Sequence, residues 1–135
     1  MESIINYKNN RGCTILHMAI QHDNTELINL ILKTGIDVNI QDNEGKTALF
    51  NAIFTDNTEL VYRLITEHGA DISIKNNDGN TVLHCAVKYN QVKIMEILLS
   101  LLKKKLSHQY HYQLKIHMRY SYIQMKLENL MYLLM

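Results

Sequence analysis

The stretch that decides the fold occupies residues 78–86 and reads Asp78-Gly79-Asn80-Thr81-Val82-Leu83-His84-Cys85-Ala86. Two earlier stretches follow the same pattern: Glu44-Gly45-Lys46-Thr47-Ala48-Leu49-Phe50-Asn51-Ala52 and Arg11-Gly12-Cys13-Thr14-Ile15-Leu16-His17-Met18-Ala19. Their glycines, Gly12, Gly45 and Gly79, are 33 and then 34 residues apart. Self-similarity at a period of this length indicates a repeat architecture. The chain of 135 residues is therefore predicted to be a short stack of helical repeats.

Each copy predicts the order turn, helix, turn, helix, and the second copy shows why. Gly45 can supply the positive φ that the first turn needs, and Thr47 is placed to cap the next helix with its hydroxyl. Apolar residues recur at helical spacing over 48–53 and again over 60–65. Two short helices, each with one buried face, are therefore expected in every copy.

The residue between the two helices of each copy is Asp23, Asp56 or Asn90. A left-handed backbone is expected there, because Asp and Asn tolerate that conformation better than most side chains. The second copy has one residue more than the first. We place this insertion at the end of its second helix, within residues 66–68, where a loop would absorb it at little cost.

These motifs resemble the ankyrin repeat over roughly residues 4–99. The family pattern Gly-x-Thr-Pro-Leu-His-x-Ala is matched by residues 79–86, and its closing Gly-Ala-Asp-Val-Asn by residues 69–73 and 35–39. The motif proline is replaced in all three copies, and Phe50 replaces the histidine of the second. The resemblance implies an all-α solenoid of stacked helix-turn-helix units with short hairpin loops. A partial N-terminal hairpin and repeats at about 9–41, 42–75 and 76–102 would form a domain over residues 1–102.

The resemblance implies a structural role for the residues that recur in the motif. His17 and His84 are expected to hydrogen-bond between their own turn and the next. The full set of structural motif residues is Gly12, Thr14, Leu16, His17, Ala19, Gly45, Thr47, Leu49, Ala52, Gly79, Thr81, Leu83, His84 and Ala86.

The resemblance also implies a protein-protein interaction module without catalytic activity, cofactor, metal or small-molecule substrate. In the family, contacts come from the hairpin tips and the first helices, which form a concave face. Of the residues on this face, Phe54 and Tyr89 are candidate anchors. Mapping by position gives Arg11, Cys13, Met18, Gln21, His22, Asn43, Glu44, Lys46, Asn51, Phe54, Thr55, Asp78, Asn80, Cys85, Lys88 and Tyr89.

The tail, residues 103–135, departs from the repeat. It carries 6 Lys and Arg against 1 Glu, or +5, whereas residues 1–102 carry 8 against 12 acidic residues, or −4. Residues 110–122 alternate between apolar and polar as a strand does, and an apolar helical pattern follows. We expect a helical segment that leans on the last repeat, or else partial disorder.

The tail leaves two alternative functions open. Its basic and tyrosine-rich composition suggests binding to nucleic acid or to an anionic membrane. The abrupt loss of the repeat pattern near Leu99 suggests instead a truncated or frame-shifted fragment of a longer array without independent function. Since neither end of the stack has a recognisable polar capping repeat, self-association through the end repeats is also expected.

Other kinds of site find little support in the sequence. His108, His111 and His117 have no Cys, Asp or Glu among them, so a metal site is not expected. Cys13 and Cys85 lie two repeats apart, too far to form a disulfide. The sequence contains neither a secretory leader nor a long apolar span, which favours the cytoplasm or another reducing compartment.

Overall fold

A computed structural model of the protein describes residues 4–105, 126–127, 130–131 and 133–134. Residues 4–105 form a short 3-10 helix (Ile4–Asn6) and six α-helices. The α-helices are α1 (Ile15–Gln21), α2 (Thr25–Leu32), α3 (Ala48–Phe54), α4 (Thr58–Glu67), α5 (Val82–Lys88) and α6 (Val92–Lys105). The predicted all-α repeat fold is confirmed.

The six helices form three antiparallel pairs that stack in chain order. In the described part of the chain α1 contacts α2 and α3, α3 contacts α4 and α5, and α6 contacts α4 and α5. A single apolar cluster runs through all three pairs, and its fully buried members include Leu16, Leu49, Leu64, Ile94 and Leu98. Each repeat therefore buries apolar side chains both between its own two helices and against the neighbouring repeat.

The turn inside each pair has the predicted left-handed residue. The φ angles of Asp23, Asp56 and Asn90 are 52°, 55° and 56°. In each case the next backbone N–H donates to an alanine carbonyl of the preceding helix, at 3.0, 3.0 and 2.9 Å. The prediction for these three positions is confirmed.

The second helices differ more than the sequence suggested. α4 has 10 residues and α2 has 8, so the inserted residue lengthens the helix. The expectation that a loop within residues 66–68 absorbs it is wrong. α6 has 14 residues and crosses the boundary that we placed at 102/103. Gly35 and Gly69 follow α2 and α4 with φ of 74° and 71°, whereas the third repeat has Leu102 at the spacing of Gly35 and Lys103 at the spacing of Gly69. Without a glycine there, α6 continues.

The described parts of the tail are helical. Leu127 and Leu130 are partly buried against the core, while Met131, Leu133 and Leu134 are exposed. The alternating stretch 110–122 and the three tail histidines lie outside the described residues. No helix that the structure describes is both long and apolar enough to cross a bilayer.

Candidate functional site

A groove of about 660 Å³ is lined by the hairpin tips of the first two repeats and by residues in or next to the first helix of all three repeats. The tips contribute Arg11, Asn43 and Glu44, whereas Phe54 is the last residue of α3 and Tyr89 is the C-cap of α5. Its remaining lining residues are Asn10, Cys13, Gln21, Asp42, Lys46, Phe50, Asn51, Thr55 and Cys85. All three repeats thus contribute to one continuous surface.

An exposed aromatic pair forms one wall of the groove. The rings of Phe54 and Tyr89 meet edge to face, with centroids 5.7 Å apart and planes at 85°. Phe54 is 70% exposed and Tyr89 is 47% exposed. Lys88 Nζ lies 5.9 Å from the centroid of the Tyr89 ring. An edge-to-face pair contributes about 0.5–1.5 kcal/mol beyond the burial of its area, so each ring helps to hold the other in place.

The floor of the groove is buried. Cys13 and Phe50 are almost fully enclosed, and Asn51 is only 8% exposed. The Asn51 amide nitrogen Nδ2 donates to His17 O in the preceding repeat at 3.4 Å. Asn51 and Cys13, which the sequence placed on the contact surface, therefore offer little area to a partner. The prediction that they lie on the contact surface is corrected: both residues belong to the floor of the groove.

The positive and negative charges of the side chains that line the groove are equal in number. Arg11 and Lys46 stand against Asp42 and Glu44. Lys46 Nζ is 2.8 Å from Glu44 Oε2, and this hydrogen bond raises the pKa of Lys46 and lowers that of Glu44. Because Glu44 is largely exposed, the pair orients the Lys46 side chain more than it stabilises the fold.

The two cysteines in the groove are free thiols. Burial raises the pKa of Cys13, and the nearby Asp42 raises it further. Burial also raises the pKa of Cys85, although Lys46 and Lys88 act in the opposite direction. Since the thiolate is the nucleophile, both residues are poorly suited to covalent chemistry.

A model of the family described as ankyrin repeats, in three copies, matches residues 16–109, which is more than half of the chain. The chain belongs to the ankyrin-repeat family. The match extends ten residues past our sequence-based limit of 99. No curated protein matches the chain.

The ankyrin repeats bring together only part of the predicted contact set. Cys13, Cys85 and Asn43 of that set line the groove. So do eight others: Arg11, Gln21, Glu44, Lys46, Asn51, Phe54, Thr55 and Tyr89. Others lie elsewhere on the repeats, with His22, Asp78 and Lys88 exposed and Met18 and Asn80 half-buried. Asn10, Asp42 and Phe50 also line the groove but were missed. Asp42 and Asn10 could have been found, because they flank predicted tip residues.

His17 joins the first ankyrin repeat to the second. Its Nδ1 accepts from the Thr14 backbone N–H at 3.1 Å and lies 2.9 Å from Thr14 Oγ1, while its Nε2 lies 2.9 Å from Lys46 O. A carbonyl can only accept, so the proton is on Nε2 and the ring is neutral. Burial lowers the pKa of His17, although the bond to Lys46 O opposes this shift.

The other two motif copies differ at the histidine position. In the third, His84 Nδ1 accepts from the Thr81 N–H at 3.1 Å and lies 2.9 Å from Thr81 Oγ1. In the second, where Phe50 stands at this position, the Thr47 hydroxyl makes no capping bond within the described residues. The predicted cap from the Thr47 side chain is therefore wrong. Among the described residues there is no group of three His, Cys, Asp or Glu side chains that could hold a metal ion.

Proposed function

We propose that the protein is a non-enzymatic ankyrin-repeat interaction module whose partner is another protein bound in the groove. The observation that carries this proposal is the Phe54–Tyr89 pair, with 70% and 47% of its side chains exposed at a groove that all three repeats line. A ring that packs on a second ring loses little conformational freedom on binding, which favours it as an anchor.

The balanced charge of the groove specifies the kind of contact further. With Lys46 already paired to Glu44, the groove has little net charge for attracting a strongly acidic or strongly basic partner. We therefore propose a partner segment with an apolar side chain that packs on Phe54 and Tyr89, flanked by polar groups facing the hairpin tips. Its affinity should depend only weakly on salt.

The test is a quantitative pull-down from the native cell with three baits: the wild type, the double variant Phe54→Ala with Tyr89→Ala, and Leu30→Ala. Leu30 is also exposed, at 56%, but lies on α2 outside the groove, so it controls for general loss of apolar surface. Loss of two anchors should weaken the true partner by roughly thirtyfold or more, given about 2 kcal/mol for a hot spot. Retention of every specific protein by the double variant would contradict the proposal.

We also propose that copies of the chain associate through the ends of the stack. Ile4 and Tyr7 are exposed beside the first repeat, and Met131, Leu133 and Leu134 are exposed in the described part of the tail. Exposed apolar side chains in these two segments favour contact between copies. This property is separate from groove binding, since none of these residues lines the groove.

A further inference from the structure

The three hairpin tips share one internal geometry. At the first tip Asn9 Oδ1 accepts from the backbone N–H groups two and four residues later, at 2.9 and 3.0 Å. Asp42 Oδ1 does the same at 2.9 and 2.9 Å, and Asn76 Oδ1 at 3.0 and 3.0 Å. The residue after each of these, Asn10, Asn43 or Asn77, therefore occupies the same place in every tip.

Neighbouring tips are joined by an asparagine clamp, by which we mean two hydrogen bonds from one asparagine to the preceding tip. Asn43 donates its backbone N–H to Arg11 O at 2.9 Å and its Nδ2 to Asn10 O at 2.9 Å. Asn77 repeats this arrangement, with its N–H to Glu44 O at 2.9 Å and its Nδ2 to Asn43 O at 2.8 Å. The same clamp thus holds both steps of the stack.

A glycine makes room for each clamp. A Cβ on Gly12 would lie 2.5 Å from Asn43 Oδ1, and a Cβ on Gly45 would lie 2.6 Å from Asn77 Oδ1. Gly79 is the third glycine of this series, with φ of +79°, and a Cβ there would meet no described atom within 4 Å. The third tip therefore has the glycine of a clamp but no asparagine seated on it among the described residues.

The first and third tips, at the two ends of this series of clamps, are complementary in their hydrogen-bonding groups. The carbonyl oxygens of Asn77 and Asp78 correspond to the acceptors of the clamp, and neither accepts a hydrogen bond across to another tip in the described residues. The backbone N–H and Nδ2 of Asn10 correspond to its donors, and neither donates within the same residues. The residue 34 positions after Asn77 in this chain is His111, whose side chain has no amide with which to form the clamp.

We propose that the third tip is a docking site for the first tip of a second copy, with Asn10 of that copy forming the clamp on Asn77 O, Asp78 O and Gly79. Because donor and acceptor surfaces lie on opposite ends of the chain, the contact is heterologous and can continue to a third copy. The mass should therefore rise with concentration beyond that of a dimer. This inference does not depend on Phe54 and Tyr89, although Asn10 also lines the groove. It rests on the proposed end-to-end association and gives that association a specific contact.

The first test is sedimentation velocity of the full chain over a wide range of concentration. Asn10→Asp keeps the size of the side chain but replaces the donor by an oxygen that faces a carbonyl, and it should weaken association about tenfold or more. Asn24→Asp is the matched control. It adds the same charge at an exposed position, where Oδ1 serves only to cap α2, and should leave association unchanged.

The second test blocks the acceptor end. Gly79→Asn places a Cβ where the incoming asparagine must sit, and Asn tolerates the positive φ. Gly35→Asn has nearly the same φ, +74°, and open space, so it controls for backbone strain. At a concentration where each variant alone is monomeric, an equal mixture of Asn10→Asp and Gly79→Asn should form a 1:1 dimer and nothing larger. In that mixture the Gly79→Asn variant retains the donor and the Asn10→Asp variant retains the acceptor.

Three results would overturn the proposal. They are a wild type that stays monomeric up to about millimolar concentration, association unaffected by Asn10→Asp and Gly79→Asn, and a mixture that gives no 1:1 dimer. The wild type would also stay monomeric if its own tail occupied the third tip. That outcome is the first of these results, and it counts against docking of a second copy. Failure here would leave groove binding untouched, because groove binding is measured on Phe54, Tyr89 and Leu30, none of which is changed in these tests.

Discussion

The start of α6 lacks the side-chain cap that α2 and α4 possess. Asn24 and Asn57 each accept, through Oδ1, a backbone N–H of the helix that follows, at 3.1 Å in both cases. Gln91 stands at the equivalent position before α6, but its Nε2 donates to Ile53 O at 2.6 Å. Its Oε1 is buried and accepts no hydrogen bond in the described structure. We therefore predict that Gln91→Asn stabilises the protein.

The size of the effect follows from the bonds exchanged. An asparagine cap contributes about 1 kcal/mol, and removal of a buried unpaired acceptor relieves about 1–3 kcal/mol. Against this, the bond from Gln91 Nε2 is lost, at about 1 kcal/mol. Ile53 O still accepts from the Asp56 N–H at 3.0 Å, so it is not left unpaired. The balance is a gain of about 1 kcal/mol or more.

Urea unfolding followed by circular dichroism would measure this gain. At an m-value of about 2 kcal/mol per M, a gain of about 1 kcal/mol moves the midpoint up by about 0.5 M. The reverse change, Asn57→Gln before α4, is the matched control and should lower the midpoint by a similar amount. The reasoning is wrong if Gln91→Asn lowers the midpoint, or if Asn57→Gln leaves it unchanged.

Two further changes test the contacts between repeats. Because burial lowers the pKa of His17, the unfolded chain binds a proton more readily, and stability should fall as the pH drops below about 6.5, by at most about 1.4 kcal/mol per pH unit. His17→Phe should remove that part of the slope in urea titrations at several pH values, whereas exposed His22→Gln should not. Gly45→Ala should cost about 3 kcal/mol by thermal or urea unfolding, from the strained φ and the displaced Asn77 clamp. Gly35→Ala should cost only about 1 kcal/mol for its strain, so equal losses would rule out the clamp.

The recurring motif predicts the helix pairs and their turns because each part has a local physical cause. Asp23, Asp56 and Asn90 take the left-handed conformation that their side chains tolerate. The pattern of one repeat does not predict how a local structure changes when a residue three positions away, or in the next repeat, departs from the motif. Thr47 has a capping hydroxyl but not the histidine that engages it in the other copies. The length of α6 likewise depends on the missing glycine, in whose place the third repeat has Leu102 and Lys103.

The groove is harder to predict than the fold, because its shape depends on side chains from different repeats. Phe54 and Tyr89 could be picked out as exposed aromatics, but they occupy different positions within their repeats. Their edge-to-face contact at 5.7 Å follows from the stacking offset and the rotamers. Asn51 looked like a surface residue by position. Its amide turns inward instead, because His17 O of the previous repeat is within reach.

The groove and the stack share residues, so binding of the proposed partner would be linked to the stability of the fold. Lys46 accepts the His17 bond through its backbone oxygen, while its side chain pairs with Glu44 on the groove surface. Phe50 and Asn51 likewise form the groove floor and the packing between repeats. A partner that spans all three repeats binds only when they are stacked, and so stabilises the stack by mass action. Variants that weaken the stack, such as Gly45→Ala, should therefore lower the apparent affinity of the partner without contacting it.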